Sequence, residues 1–84
     1  MANLVSAYVL IKTDVGKTGD VLNDILRLQN VSHATSVAGD YDIVVEVTGE
    51  TLEDISSKVL NELHRIPNIR ETKTLMGTKY SGRP

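Results

Sequence analysis

The sequence predicts an α+β domain: a four-stranded antiparallel sheet with two helices on one of its faces. Three observations carry this. Apolar residues cluster in four short strand-like runs and recur at helical spacing in two further segments, in the order β-α-β-β-α-β. Two of the four strand runs are apolar on both faces and two are mixed, which marks two central and two edge strands. Gly39-Asp40 joins the middle pair with hairpin-turn chemistry, so those strands run antiparallel.

The first run, residues 5–12, puts Ala7, Val9 and Ile11 on one face and Tyr8 and Leu10 on the other, which suits a central strand. A polar connection with two glycines follows. From about residue 20, Val21, Leu22, Ile25, Leu26 and Leu28 recur at helical spacing up to Asn30, and either Thr18 or Asp20 is a candidate cap. Residues 31–38 carry Ser32, His33, Thr35 and Ser36 and read as an exposed edge strand. After the glycine turn the second central strand places Ile43, Val45 and Val47 on one face, and Asp42, Val44, Glu46 and Thr48 on the other. Gly49-Glu50 breaks it. Thr51 with Asp54 three residues on is a capping-box pattern, and Leu52, Ile55, Val59, Leu60, Leu63 and Ile66 then form one helical stripe, stopped by Pro67 and Asn68. Residues 69–76 alternate with Arg, Glu and Lys and form the second edge.

One arrangement accounts for two apolar centres and two polar edges. In the split-βαβ, or ferredoxin-like, fold each right-handed crossover skips a place, giving strand order 4-1-3-2 with both helices on one face. The uncovered face then carries Tyr8 or Val9, Leu10 or Ile11, and Val44, depending on register. A second copy is its natural cover, so the expected assembly is a homodimer packed sheet to sheet.

At 84 residues the chain forms one domain near the size where a single core is marginal, which favours association. We expect residues 1–78 to form that domain and 79–84 a short polar tail, with no internal repeat. With no cysteine there is neither a disulfide nor a thiolate metal site, which fits a reducing interior, and the cytoplasm is the expected location. A net charge of −2 with scattered lysines argues against a nucleic-acid surface. RNA binding on the sheet fails further because only Tyr8, Tyr41 and Tyr80 are available for stacking. No apolar run approaches the ~20 residues of a membrane helix.

Catalytic chemistry finds little support. Gly16-Lys17-Thr18 mimics the end of a phosphate-binding loop, but Ile11 stands where that loop needs another glycine. His33 reads as a surface strand residue, and His64 as a favourable cation at a helix C-terminus. Glu53 and Asp54 suit the positive end of a helix. We expect no cofactor, no metal and no enzymatic activity; the alternative is a small dimeric ferredoxin-like enzyme with its site in the cleft between helices and sheet. Asp40 and Asp42 flank Tyr41 at the hairpin, where the bland reading is a solubilised turn. The sharper reading is a polar pocket in which a carboxylate and exposed turn amides hold the ammonium and carboxylate of a free amino acid. Thr72 and Thr74 share a strand face and could add hydroxyls, although β-propensity alone explains them.

The segments AYVLIKTD, VxxATSVAGDYDIVVEV and LHRIPNIRETKTLM together span nearly the whole chain. With the Gly39-Asp40-Tyr41-Asp42 turn and the Thr72-x-Thr74 pair, they resemble the effector-binding RAM domain of the Lrp/AsnC family. That resemblance implies a module binding an amino acid or related small effector, dimerising through its sheets and often forming an octamer of four dimers, with the effector where dimers meet. Carried over by position, it nominates Gly39, Tyr41, Asp42, Thr72 and Thr74 as ligand contacts, with Leu75 and Met76 as weaker ones. Typical members carry a helix-turn-helix domain before this one, for which no residues remain here. The resemblance therefore implies a stand-alone module that binds no DNA directly and acts in transcriptional regulation of amino acid metabolism, with a full-length Lrp/AsnC regulator as a potential partner.

Overall fold

Strand alternation and helical spacing resolve, in the computed structural model, into a sheet covered by two helices; the structure describes residues 5–77. The expected boundary at residue 78 and the tail lie outside them. β1 is Val5–Thr13, α1 Thr18–Ile25, β2 Val31–Ser36, β3 Ile43–Gly49 and β4 Ile69–Gly77. The second helix, α2, runs over residues 52–63 as an α-helical turn Leu52–Asp54, a π-helical stretch Ile55–Leu60 and a closing turn Asn61–Leu63. The sheet order is β2-β3-β1-β4, the expected 4-1-3-2 order read from the other edge, and every pairing is antiparallel.

Register decides which face each residue takes. Ala7, Val9 and Ile11 pair with Val47, Val45 and Ile43. All six are fully buried with Val21 and Ile25 from α1 and Ile55, Val59 and Leu63 from α2. Each of the valine, isoleucine and leucine side chains among them contributes about 1.5–3 kcal/mol on leaving water. This core fills the space between helices and sheet, so the cleft required by the enzyme alternative is occupied by aliphatic side chains. The opposite face carries Tyr8, Leu10 and Val44, as β1 and β3 pair Tyr8 with Glu46 and Leu10 with Val44.

The helix ends depart from expectation in three places. Neither Thr18 nor Asp20 caps α1: Lys17 holds that position without a side-chain bond, after a turn in which its N–H donates to the Asp14 carbonyl and Gly16 takes φ +79°. α1 also ends earlier, at Ile25, because Arg27 and Leu28 donate back to the carbonyls of Asp24 and Ile25 and tighten the last turn. Leu26, the residue that caps this end, is off the buried stripe and 58% exposed. Leu52, half exposed, stands in the first turn of α2, ahead of the packed residues. The expected cap of α2 is present, with the Thr51 hydroxyl accepting from the Asp54 N–H at 3.0 Å.

The structure also reveals a repeat where none was expected. Ile25-Leu26-Arg27-Leu28-Gln29-Asn30-Val31 and Leu63-His64-Arg65-Ile66-Pro67-Asn68-Ile69 leave their helices identically. Leu26 and His64 donate to the carbonyls of Leu22 and Leu60, Arg27 and Arg65 to those of Asp24 and Glu62, and Leu28 and Ile66 to those of Ile25 and Leu63. Asn30 and Asn68 then turn the chain at φ +70° and +71°, in the left-handed region that asparagine tolerates better than most residues. Each exit closes on the other half of the molecule, the Asn30 carbonyl accepting from Thr48 N–H and the Asn68 carbonyl from Asp14 N–H.

Candidate functional site

The hairpin joining β2 to β3 is closed by the Val37 N–H on the Asp42 carbonyl at 2.9 Å, and Gly39 at its tip takes φ +139°. A side chain there would be strained whatever the space around it, so glycine is a requirement of the turn. Asp42 anchors the hairpin to β1. Its N–H donates to the Ile11 carbonyl at 2.8 Å. Its Oδ2 accepts from the Thr13 N–H at 2.8 Å and the Thr13 hydroxyl at 3.3 Å, and Thr13 Oγ1 lies 2.8 Å from Thr18 Oγ1 in the first turn of α1. With Thr13 donating to the carboxylate, Thr18 donates to Thr13. The two aspartates therefore differ: Asp40 is exposed, whereas Asp42 braces the hairpin, the end of β1 and the start of α1.

Beside this brace, Lys12 Nζ sits 5.3 Å from the centre of the Tyr41 ring and 3.9 Å from Glu71 Oε1. The β4 residues continue from there. Thr72 pairs with Ile11, Thr74 with Val9 and Met76 with Ala7, so these three lie on the helix-covered side, whereas Leu75 pairs with Tyr8 on the open side. At about 3.3 Å per residue, Met76 lies roughly 13 Å along the strand from Thr72. Gly39, Tyr41 and Asp42 of the hairpin and Thr72 of β4 thus lie at the same end of the sheet, with Thr72 on the helix-covered side and Lys12, beside Tyr41, on the open side, and Thr74 is one step inward. One copy does not bring Leu75 and Met76 to them or to each other.

Residue-by-residue reading missed Thr13, Thr18, Lys12 and Glu71. The signal for Thr13 was present: extending the central pairing beyond Ile11 and Ile43 carries Thr13 alongside the hairpin. The phosphate-loop mimic is spent on structure, with Lys17 Nζ 3.9 Å from Asp20 Oδ2. Among the described residues no group of three or more potential ligands could hold a metal ion. His64 stands at the C-terminal cap of α2. A groove of about 660 Å³ between the α1 exit and α2 includes Arg27, Asn61, Glu62 and Arg65 in its wall. Its donors are partly committed, Asn61 Nδ2 to the Ser57 carbonyl and Ser57 Oγ to that of Glu53.

Fold and hairpin together place the chain among small ferredoxin-like α+β domains. Within that class, the Lrp/AsnC ligand binding domain matches residues 6–79, and the chain belongs to that family. It is 29% identical over 73 residues to the HTH-type transcriptional regulator FL11 of Pyrococcus abyssi, covering 87% of this chain and 48% of the relative. The chain thus spans about half the length of that regulator. The crystal structure of FFRP-DM1 matches with a TM-score of 0.81 and 31% identity, over 88% of this chain and 99% of that one. A transcriptional regulator from Neisseria meningitidis, NMB0573, solved as a complex with L-Met, shares the fold at a TM-score of 0.76 and 14% identity, over 94% of this chain and 53% of that one. Among the described residues no helix is long and apolar enough to cross a membrane.

Proposed function

We propose that this domain binds a free amino acid or a related small effector and conveys its presence to transcriptional control through assembly, without catalysing a reaction. The observation that carries this is the braced hairpin, whose turn is held to the ends of β1 and α1 by the Asp42–Thr13–Thr18 bonds in a domain of the Lrp/AsnC ligand-binding family. A site on a fixed turn loses little entropy on binding, and the L-Met complex of the Neisseria regulator shows an amino acid as ligand on a related fold.

The proposed contacts are Gly39, Tyr41, Asp42, Thr72 and Thr74, with Leu75 and Met76 as weaker ones. Because one copy leaves Leu75 and Met76 apart from the turn, a complete site needs a neighbouring copy. This favours a homodimer packed through the open sheet face and a further assembly of four dimers into an octamer. Ligand regulates such an assembly, or a co-assembly with a full-length Lrp/AsnC regulator in the cytoplasm, only by binding one assembly state more tightly than another. Thermal-shift screening against the twenty amino acids tests the reading. At least one should raise the melting temperature, and Tyr41→Ala should weaken that hit by about tenfold or more, as expected for loss of an aromatic contact worth over ~1.4 kcal/mol. No stabilisation by any of them would leave assembly alone as the role.

A further inference from the structure

A free amino acid brings an ammonium and a carboxylate, and each calls for a group of opposite charge. The Asp42 carboxylate is committed to the fold, since its Oδ2 accepts from the Thr13 N–H at 2.8 Å and from the Thr13 hydroxyl at 3.3 Å. The charged groups that stand beside Tyr41 are Lys12 of β1 and Glu71 of β4. Register sets these two residues side by side on the open side of the sheet. Lys12 Nζ lies 5.3 Å from the centre of the Tyr41 ring and 3.9 Å from Glu71 Oε1. The second distance is about 1 Å longer than a charge-assisted hydrogen bond, so neither group satisfies the other. Among the described residues neither has a closer polar partner. The Lys12 side chain is 37% exposed and that of Glu71 54%, so a ligand can reach both, and the lysine is the more confined.

A loose pair of this kind, half in solvent, contributes little to stability. Its neighbour sets it apart. The Tyr41 ring offers an apolar wall and a face that favours a cation, so an ammonium, a carboxylate and an aromatic surface converge at the hairpin end of the sheet. We propose that Lys12 and Glu71 read the two charges of the effector: the Lys12 ammonium takes the ligand's carboxylate and Glu71 its ammonium, with the ligand's carbon skeleton against Tyr41. An α-amino acid carries both charges on one carbon, a spacing that suits two groups standing side by side. A ligand with a single charge leaves one of them unmatched, so the site selects zwitterions over simple amines or acids. The inference rests on the effector-binding reading above and names the residues that recognise the ligand's charged ends.

Calorimetric titration of the intact chain with the twenty amino acids, and with the N-acetyl and carboxamide derivatives of the tightest binder, tests the assignment. Removing either charge from the ligand should weaken binding by about tenfold or more, the loss expected for a hydrogen bond to a charged group. Lys12→Met should weaken the free amino acid as much and leave the carboxamide as it binds the wild-type chain. Glu71→Gln should likewise weaken the free amino acid and leave the N-acetyl derivative unchanged. A merely structural role would weaken every ligand alike. Lys12→Arg should recover most of the affinity that Lys12→Met loses, because a guanidinium keeps the charge and also stacks on an aromatic face. Lys73→Met, on the same side two residues along β4, should bind as the wild type does. An amino acid that binds the wild type, Lys12→Met and Glu71→Gln equally well overturns the inference and leaves the effector reading standing. A Lys12→Met chain that loses the carboxamide as fully as the free amino acid overturns it too. No binding by any of the twenty overturns both.

Discussion

The two halves of the domain, β1-α1-β2 and β3-α2-β4, leave their helices in the same way and enter them differently. Both exits use matching backbone bonds, an arginine, a half-buried aliphatic and an asparagine in the left-handed region. At the entries, α2 begins with Thr51 as a side-chain cap, whereas α1 begins uncapped after a glycine turn, with Thr18 bonded to Thr13 and through it to the hairpin. The exits fix where each helix returns the chain to the sheet, and hence the strand order. The uncapped entry instead ties α1 to the proposed ligand turn. What repeats builds the fold, and what differs lies beside the candidate site.

Substitutions can break this comparison at three levels. The largest effects belong to the equivalent core positions: Ile25→Ala and Leu63→Ala should each cost about 2–5 kcal/mol in urea denaturation. A much smaller loss at one of them would show that the halves do not share the core equally. Next comes the brace, which only one half possesses. Asp42→Ala leaves the buried Thr13 N–H and hydroxyl without their acceptor and should cost about 1–3 kcal/mol in the same measurement, with faster amide exchange at Thr13. Unchanged exchange there would mean that the hairpin is held by its backbone bonds alone. The smallest and most discriminating pair is Asn30→Ala and Asn68→Ala, each expected to lose about 1 kcal/mol at a left-handed position. Unequal losses would show that the exits match in shape but not in strain.

Much of the fold was legible because it rests on periodicity. Ile43, Val45 and Val47 had to face the helices once their strand was central, and Thr51 with Asp54 signalled a cap that the bond between them confirms. The repeat was not legible, since its residues agree mainly in type and its identity lies in backbone angles and hydrogen bonds. The start of α1 was misread because Thr18 is spent on Thr13, a partner that only the folded loop supplies. The hairpin residues of the candidate site stood out by their turn chemistry. Their geometry did not: Asp42 turns its carboxylate to the Thr13 N–H and hydroxyl at the end of β1, and the separation of Leu75 from Met76 follows from adjacency on one strand. The approach of Lys12 to Glu71 depends on the register between β1 and β4, which neither segment encodes alone.

The crossed bonds at the two exits carry a consequence for how the domain comes apart. The Asn30 carbonyl is satisfied by a donor in the second half, and the Asn68 carbonyl by one in the first. Neither βαβ unit can therefore peel away without orphaning a bond in both, so partial unfolding of one half gains little. The duplicated architecture behaves as one cooperative unit, and its melting should be two-state even though its parts look separable.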